Sequence, residues 1–156
     1  MLSREILPDH GGKAPICIFA PLLSGLSGGK MSASDAASKV NLNDSPEDVQ
    51  EKLTDAYCPM GEVEDNGVLE YVRYLVFPIL DERGEEFVVE RPEQYGGDLV
   101  YESYEDLEED FVAEELHPQD LKNAAGEYIA DVIDPIRTAL NDRPELLAEA
   151  YPEKYE

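Results

Sequence analysis

Gly28-Gly29-Lys30-Met31-Ser32-Ala33-Ser34 places one lysine behind two glycines and ahead of two hydroxyls. It follows an apolar run, Pro15-Ile16-Cys17-Ile18-Phe19-Ala20-Pro21, that reads as a buried strand. Glycines let a backbone close over a polyphosphate, a lysine supplies a point charge, and serine hydroxyls bond phosphate oxygens. Alone, a Gly-rich turn with one lysine is most often only a turn. The segments on either side decide what this one means.

Upstream, residues 1–27 read as a short helix, a loop at Asp9-His10-Gly11-Gly12 and the strand. Apolar residues at consecutive strand positions need partners on both edges and cover on both faces. No second parallel strand or crossover helix can be read in this chain, so this segment is expected to be its least stable part.

Downstream, the lysine loop and a connector occupy 28–44. Ser45-Pro46-Glu47-Asp48 then carries a helix start: Ser45 as N-cap, Pro46 in the first turn and Asp48 closing a short capping box. Val49, Leu53 and Tyr57 fall on one face, and Pro59 with Gly61 ends the helix. A second helix over about 67–77 is apolar nearly all round at Val68, Leu69, Val72, Leu75 and Val76, so it is expected to be central. Asp81-Glu82-Arg83-Gly84 reads as a turn. Phe87-Val88-Val89 and Asp98-Leu99-Val100-Tyr101 read as two strands. A helix with Leu107, Phe111 and Val112 inward follows. The last long helix opens at His117-Pro118, buries Leu121, Ala125, Tyr128, Val132, Ile136 and Leu140, and should kink at Pro135. The tail, Tyr151-Pro152-Glu153-Lys154, has no clear structure.

The loop's wording resembles the KMSKS signature of class I aminoacyl-tRNA synthetases. Other segments then resemble, in order, the archaeal and eukaryotic-type tyrosyl-tRNA synthetase family: Met1-Leu2-Ser3-Arg4-Glu5-Ile6-Leu7-Pro8, Ala56-Tyr57-Cys58-Pro59, Gly61-Glu62-Val63-Glu64, Asn66-Gly67-Val68-Leu69-Glu70-Tyr71, Phe77-Pro78, Tyr95-Gly96-Gly97-Asp98, Tyr104-Glu105-Asp106-Leu107-Glu108, His117-Pro118-Gln119-Asp120-Leu121-Lys122-Asn123 and Asp134-Pro135-Ile136-Arg137. The tryptophanyl branch shares the loop, but the Ala-Tyr-Cys-Pro and His-Pro-x-Asp-Leu-Lys-Asn wordings favour the tyrosyl branch.

The resemblance implies a mainly α fold. A helical anticodon-binding domain with a small β-hairpin (45–156) would follow the last strand and KMSKS-type loop of a truncated doubly wound α/β catalytic domain (1–44). It makes Met1 an internal methionine. The HIGH-type motif and the tyrosine pocket are not found here, since the two histidines, His10 and His117, stand in no such motif. The chain is therefore expected to be the C-terminal half of the enzyme and inactive alone; a fragment, a miscalled start and a split gene product all fit.

Roles follow from the same resemblance. Lys30, Met31, Ser32, Ala33 and Ser34 would bind ATP, with Lys30, Ser32 and Ser34 catalytic. Lys30 would meet the pyrophosphate oxygens as charge builds on them, and Met31 would pack near the adenine. Ala33 stands where the consensus has a second lysine; the serine usual in this branch lacks that charge too. Tyr95 would stack on the first anticodon base, a guanine, and Asp120 would accept its two adjacent Watson–Crick donors. His117, Pro118 and Gln119 would shape that pocket, with Lys122 near phosphate and Asn123 beside it. Asn123 could equally bond within its own helix, Asp120 could be only a first-turn acid, and Tyr95 only a loop aromatic. The implied partners are tRNA(Tyr), ATP with Mg2+ and no protein-bound metal, and tyrosine only with the preceding half. A homodimer through the catalytic domain, a cytoplasmic location and no membrane contact complete the expectation.

Composition sets the limits. No apolar run is long enough to cross a membrane, and no signal peptide is visible. Cys17 and Cys58, without CxxC spacing, make neither a zinc site nor a disulfide framework, which suits a reducing cytoplasm. Asp and Glu number 36 against 12 Lys and Arg, a net charge of −24. That conflicts with the basic face an RNA-binding protein needs. The 42% hydrophobic content and the periodic segments argue against an acidic tail. Loss of RNA binding is a second reading. The third fits best: a salt-loving organism, whose molar salt shortens the Debye length to ~3 Å. Under such pressure a surviving lysine tends to have a task. Lys30 and Lys122 fall in motifs, whereas Lys13, Lys39, Lys52 and Lys154 read as solvated surface. Three functions compete: part of a tyrosine–tRNA ligase, a stand-alone tRNA-binding module, and an inactive remnant.

Overall fold

The computed structural model describes residues 6, 8–13, 16, 20–32 and 34–150, the side chain of Ala150 excepted. The expected strand lies mostly outside them. Ile16 is exposed, and Ala20 and Pro21 belong to no strand. Cys17, Ala33 and the tail beyond Ala150 also lie outside the described residues. The elements are α1 (Pro46–Asp55), α2 (Gly67–Tyr71), a π-helical turn (Val72–Val76), α3 (Phe77–Arg83), β1 (Phe87–Val89), β2 (Leu99–Tyr101), α4 (Tyr104–Val112), α5 (Pro118–Asn141) and α6 (Pro144–Ala150), with short 3-10 turns at Ala36–Ser38 and Glu93–Tyr95. The architecture is helical with one antiparallel two-stranded hairpin, in the register Phe87↔Tyr101, Val88↔Val100, Val89↔Leu99.

Helix α1 starts where its cap residues put it. Ser45 Oγ accepts from the Asp48 N–H at 3.1 Å, and Asp48 Oδ2 accepts from the Ser45 N–H at 3.0 Å. Val49 and Leu53 are fully buried against α5. Where the two helices meet, the Gln50 amide packs over Gly126, and a Cβ there would have to displace it. Tyr57 does not continue the inward face as its spacing suggests. The helix ends at Asp55 with Ala56 extended as its cap, so Tyr57 leaves the helical path and is 49% exposed.

The segments α2, π-turn and α3 make one continuous rod over 67–83, with Val68, Leu69, Val72 and Val76 buried as expected. It runs past residue 77, and Asp81-Glu82-Arg83 form its last turn rather than a loop. Pro78 explains both the continuation and the π-turn. In a regular helix its ring would strike the carbonyl of Tyr74 and it has no N–H to donate. Widening by one residue, so that the Phe77 N–H reaches the Val72 carbonyl, relieves the clash. Gly84 then closes the rod in the left-handed conformation, φ 68°.

The hairpin lies on this rod. Phe87 stacks on Phe77 at 5.6 Å and on Tyr128 at 4.8 Å, and Tyr104 meets Phe77 edge-on. Such pairs add ~0.5–1.5 kcal/mol each beyond burial. Tyr128 is held at the core's edge: its hydroxyl accepts from the Val88 N–H at 3.0 Å and donates to the Glu86 carbonyl at 3.3 Å. The inward face of α5 is therefore one position over from the expected stripe. It comprises Leu121, Ala124, Ala125, Ile129 and Ile133, while Ile136 is 43% exposed and Val132 and Leu140 are half-buried. The helix continues through Pro135. On α4, Leu107 and Phe111 point inward, but Val112 is 54% exposed at the helix end. Among the described residues no helix is long and apolar enough to cross a membrane.

Candidate functional site

Two separate regions hold the residues singled out from the sequence. The first is the loop around Lys30. Ser24 and Lys30 pair as an isolated antiparallel bridge, and the Gly25 N–H donates to the Gly29 carbonyl at 2.7 Å. The loop thus closes on itself and leaves Gly29 and Lys30 exposed. Leu26, fully buried, roots it in the core, and its N–H donates to the Ser38 carbonyl at 2.9 Å. Met31 packs partly against the same core. Ser32 and Ser34 stand side by side, their hydroxyls 3.0 Å apart. Behind them the buried Ser38 hydroxyl accepts from the Ser32 N–H and shares its proton between the Ser32 and Asp35 carbonyls. Lys39, half-buried, brings its ammonium to 3.5 Å from the Ser32 carbonyl rather than standing in solvent. Lys30, Ser32 and Ser34 can therefore meet one anion from a short arc of chain.

The second region is a cavity of about 450 Å³ lined by Arg91, Tyr95, His117, Gln119 and Asp120. Two chain segments build it. The stretch after β1 turns at Glu93–Tyr95 and presents Tyr95, 66% exposed. The start of α5 supplies the rest. His117 is its N-cap: Nδ1 accepts from the Gln119 N–H at 3.0 Å, leaving Nε2 as the protonated nitrogen. Pro118 fills the first helical position and is half-buried. Asp120 follows in the first turn, and among the described residues its carboxylate has no hydrogen-bond partner. An aromatic face and an open pair of acceptor oxygens thus share one cavity.

Arg91 is the residue that sequence reasoning missed. Its Nε donates to the Gly97 carbonyl at 3.0 Å, Nη1 to the Glu115 carbonyl at 3.3 Å, and its own N–H to Asp98 Oδ1 at 2.9 Å. It ties the Tyr95 turn to the segment leading into His117. The scarcity argument made for lysines, applied to the arginines as well, would have raised it.

Lys122 and Asn123 lie apart from the cavity. The Lys122 ammonium donates to the Thr54 carbonyl at 3.0 Å, at the C-terminal end of α1. Asn123 Oδ1 accepts from Gln119 Nε2 at 2.9 Å, inside its own helix, and from Gln50 Nε2 at 3.4 Å. Both join α1 to α5. Nearby, burial pushes the Cys58 thiol up from its ordinary pKa, against a hydrogen bond from Asn66 and the charge of Lys122.

The family model for class I tRNA synthetases (W and Y) matches residues 1–133. The chain belongs to this family of class I tRNA synthetases. Its relatives include tyrosine–tRNA ligases of archaea. The chain is 74% identical to a tyrosine–tRNA ligase of Haloarcula marismortui over 99% of its length, and 64% identical to one of Natronomonas pharaonis over all of it; each match spans 45% of the relative. Both sources are halophilic. The crystal structure of tyrosyl-tRNA synthetase complexed with L-tyrosine from Archaeoglobus fulgidus superposes with a TM-score of 0.78 at 42% identity, covering 88% of this chain and 41% of that one. The chain thus spans about half the length of the relatives it matches.

Proposed function

We propose that this chain serves as the C-terminal portion of a tyrosine–tRNA ligase, with residues 1–44 completing the catalytic domain and 45–156 reading the anticodon. The observation that carries this reading is the cavity where Tyr95 and the unpaired carboxylate of Asp120 face the same space. A guanine presents two adjacent donors on its Watson–Crick edge; a carboxylate accepts both, and an aromatic ring stacks on the base. His117 and Gln119 line the wall, Pro118 starts the helix that carries them, Arg91 fixes the turn that carries Tyr95, and Asn123 holds Gln119 in place. Lys122, near phosphate in this reading, also bonds the Thr54 carbonyl and so joins α5 to α1.

At the other site, Lys30 closes on the ATP phosphates while the tyrosine carboxylate attacks the α-phosphate and pyrophosphate departs. Ser32 and Ser34 donate to the phosphate oxygens, and Met31 lines the adenine side. Mg2+ enters with ATP as part of the substrate. Tyrosine binding requires a catalytic half this chain does not contain. The same reading includes a homodimer built through that half and a cytoplasmic location.

The test is binding of this chain, in molar KCl, to an RNA hairpin carrying a guanine-first anticodon loop. Tyr95→Ala should weaken binding by ~1–3 kcal/mol, the worth of one stacked base. Unchanged affinity for that variant would remove the cavity from RNA recognition.

A further inference from the structure

The base of the Lys30 loop is clamped by one face of α2. Ser24 donates from its N–H to Glu70 Oε2 at 2.5 Å and from its hydroxyl to Glu70 Oε1 at 2.9 Å. Three residues earlier on the same face, Gly67 lies directly against the loop's backbone. A Cβ at Gly67 would stand 2.8 Å from the Gly25 carbonyl oxygen, closer than real Cβ atoms come, and a tight 3.1 Å from that of Ser24. Ser24 is the residue bridged to Lys30, and Gly25 is bonded to Gly29, so what holds 24–25 also sets where Lys30 stands. Tyr57 closes the other side: its N–H donates to the Leu26 carbonyl at 2.6 Å, and its ring packs beside Gly28.

We infer that Glu70 and Gly67 are positioning residues for the signature loop, fixing its base to the central rod so that the exposed Lys30 is presented from a held strand pair. This rests on the reading of 28–34 as the ATP loop. A loop that must bring one ammonium to a developing charge gains from a base that does not move, because a loosely held cation loses the preorganisation that lowers the barrier. Glu70 supplies two acceptors to two donors of one residue. Gly67 supplies the absence of a side chain that lets the rod approach. Neither residue touches substrate.

The test has two arms. In this chain, at molar KCl, amide hydrogen exchange is followed at Ser24, Gly25 and Leu26, with Leu121 and Ala125 of α5 as internal reference. Glu70→Ala should speed exchange at 24–26 about tenfold or more, the scale of a lost charge-assisted hydrogen bond, without moving the α5 amides. Glu70→Gln should stay close to wild type: the amide oxygen accepts from the Ser24 N–H, and the amide nitrogen can donate to a hydroxyl turned to accept. Gly67→Ala should loosen the same three amides by steric displacement. Unchanged exchange at 24–26 in Glu70→Ala, or an equal rise throughout α5, would overturn the clamp.

The second arm uses a chimera joining this chain to the N-terminal portion of the Haloarcula ligase. Glu70→Ala should lower kcat for tyrosine-dependent ATP–pyrophosphate exchange about tenfold with the tyrosine KM unmoved, and Glu70→Gln should restore it. Loosened amides with an unchanged rate would leave the clamp standing and remove the ATP role of the loop. A lowered rate with amides unmoved would remove the clamp alone.

Discussion

The Lys52 ammonium sits 2.5 Å from Asp44 Oδ2, with side-chain exposures of 18% and 8%. The sequence suggests a solvated lysine here; the fold instead uses it to hold the end of the connector against α1. Asp44 also accepts from the Asn41 N–H at 2.8 Å, so one carboxylate gathers the connector and the helix. Removing one partner of such a pair strands the other charge. Lys52→Met should therefore destabilise the domain by ~3 kcal/mol, and Asp44→Asn added to it should recover part of that loss. Denaturant midpoints of the two variants check it; a single variant as stable as wild type would contradict the argument.

With 36 acidic residues against 12 basic ones, most acids cannot share a cation in this way. Five ion pairs involve described residues, and four of them engage arginines on half-exposed or exposed surface, at Arg73, Arg83 twice and Arg137. With a net charge of −24, repulsion should dominate once screening is withdrawn. Lowering KCl from molar to about 10 mM lengthens the Debye length from ~3 to ~30 Å, and helix content by circular dichroism should fall. Equal helicity and equal Tm at both salts would dismiss the halophilic interpretation of the composition.

Two tyrosines set an alkaline limit. Burial raises the pKa of Tyr101 above its ordinary value of 10.0, and its hydrogen bond to Asp110 raises it further. Tyr104 is raised likewise, by burial first and then by Glu108, with Arg73 opposing. The folded state keeps both protons at a pH where the unfolded chain releases them. Their contribution is thus fully present below about pH 10 and is lost as pH rises above it. Tm should decline across that range, and Tyr101→Phe with Tyr104→Phe should flatten the decline. An equally steep alkaline limb in the double variant would place its cause elsewhere.

For the loop, Lys30→Ala in the Haloarcula chimera should lower the rate of tyrosine activation by ~2–4 kcal/mol, the scale of one transition-state contact. Tyrosine affinity should hold. A fall in tyrosine affinity at an unchanged rate would contradict the assignment of Lys30 to the phosphates.

What was legible in the sequence was mostly local. The Ser45–Asp48 box, the two hairpin strands and the His117-Pro118 helix start depend on residues within a few positions of one another, and each stands where the pattern put it. What was missed depends on partners far along the chain. Lys52 is buried because Asp44 meets it, the inward face of α5 shifts because Tyr128 reaches the hairpin backbone, and Arg91 matters because Glu115 comes close. The rod over 67–83 is the local exception: the pattern stops the helix near 77, yet a π-turn absorbs Pro78 and carries it on to Arg83. At the candidate site, Tyr95, His117 and Asp120 line one cavity, while Lys122 and Asn123, from the same run of sequence, face α1 instead. One helical turn was enough to separate the two groups, and spacing alone did not show which way each would point.

The central claim, that Asp120 reads the first anticodon base, is tested most directly by binding of this chain to two RNA hairpins that differ only at that base, guanine or adenine, in molar KCl. There counterion release contributes little, so discrimination must come from base contacts. Wild type should prefer guanine by ~1–3 kcal/mol, the worth of a good bidentate base contact. Asp120→Asn turns one acceptor into a donor facing guanine's own donors, so the preference should vanish or invert while the adenine hairpin binds no more weakly than before. If Asp120→Asn weakens both hairpins equally, or if wild type binds them alike, Asp120 is only an acid in the first turn of α5 and the account of this cavity is wrong.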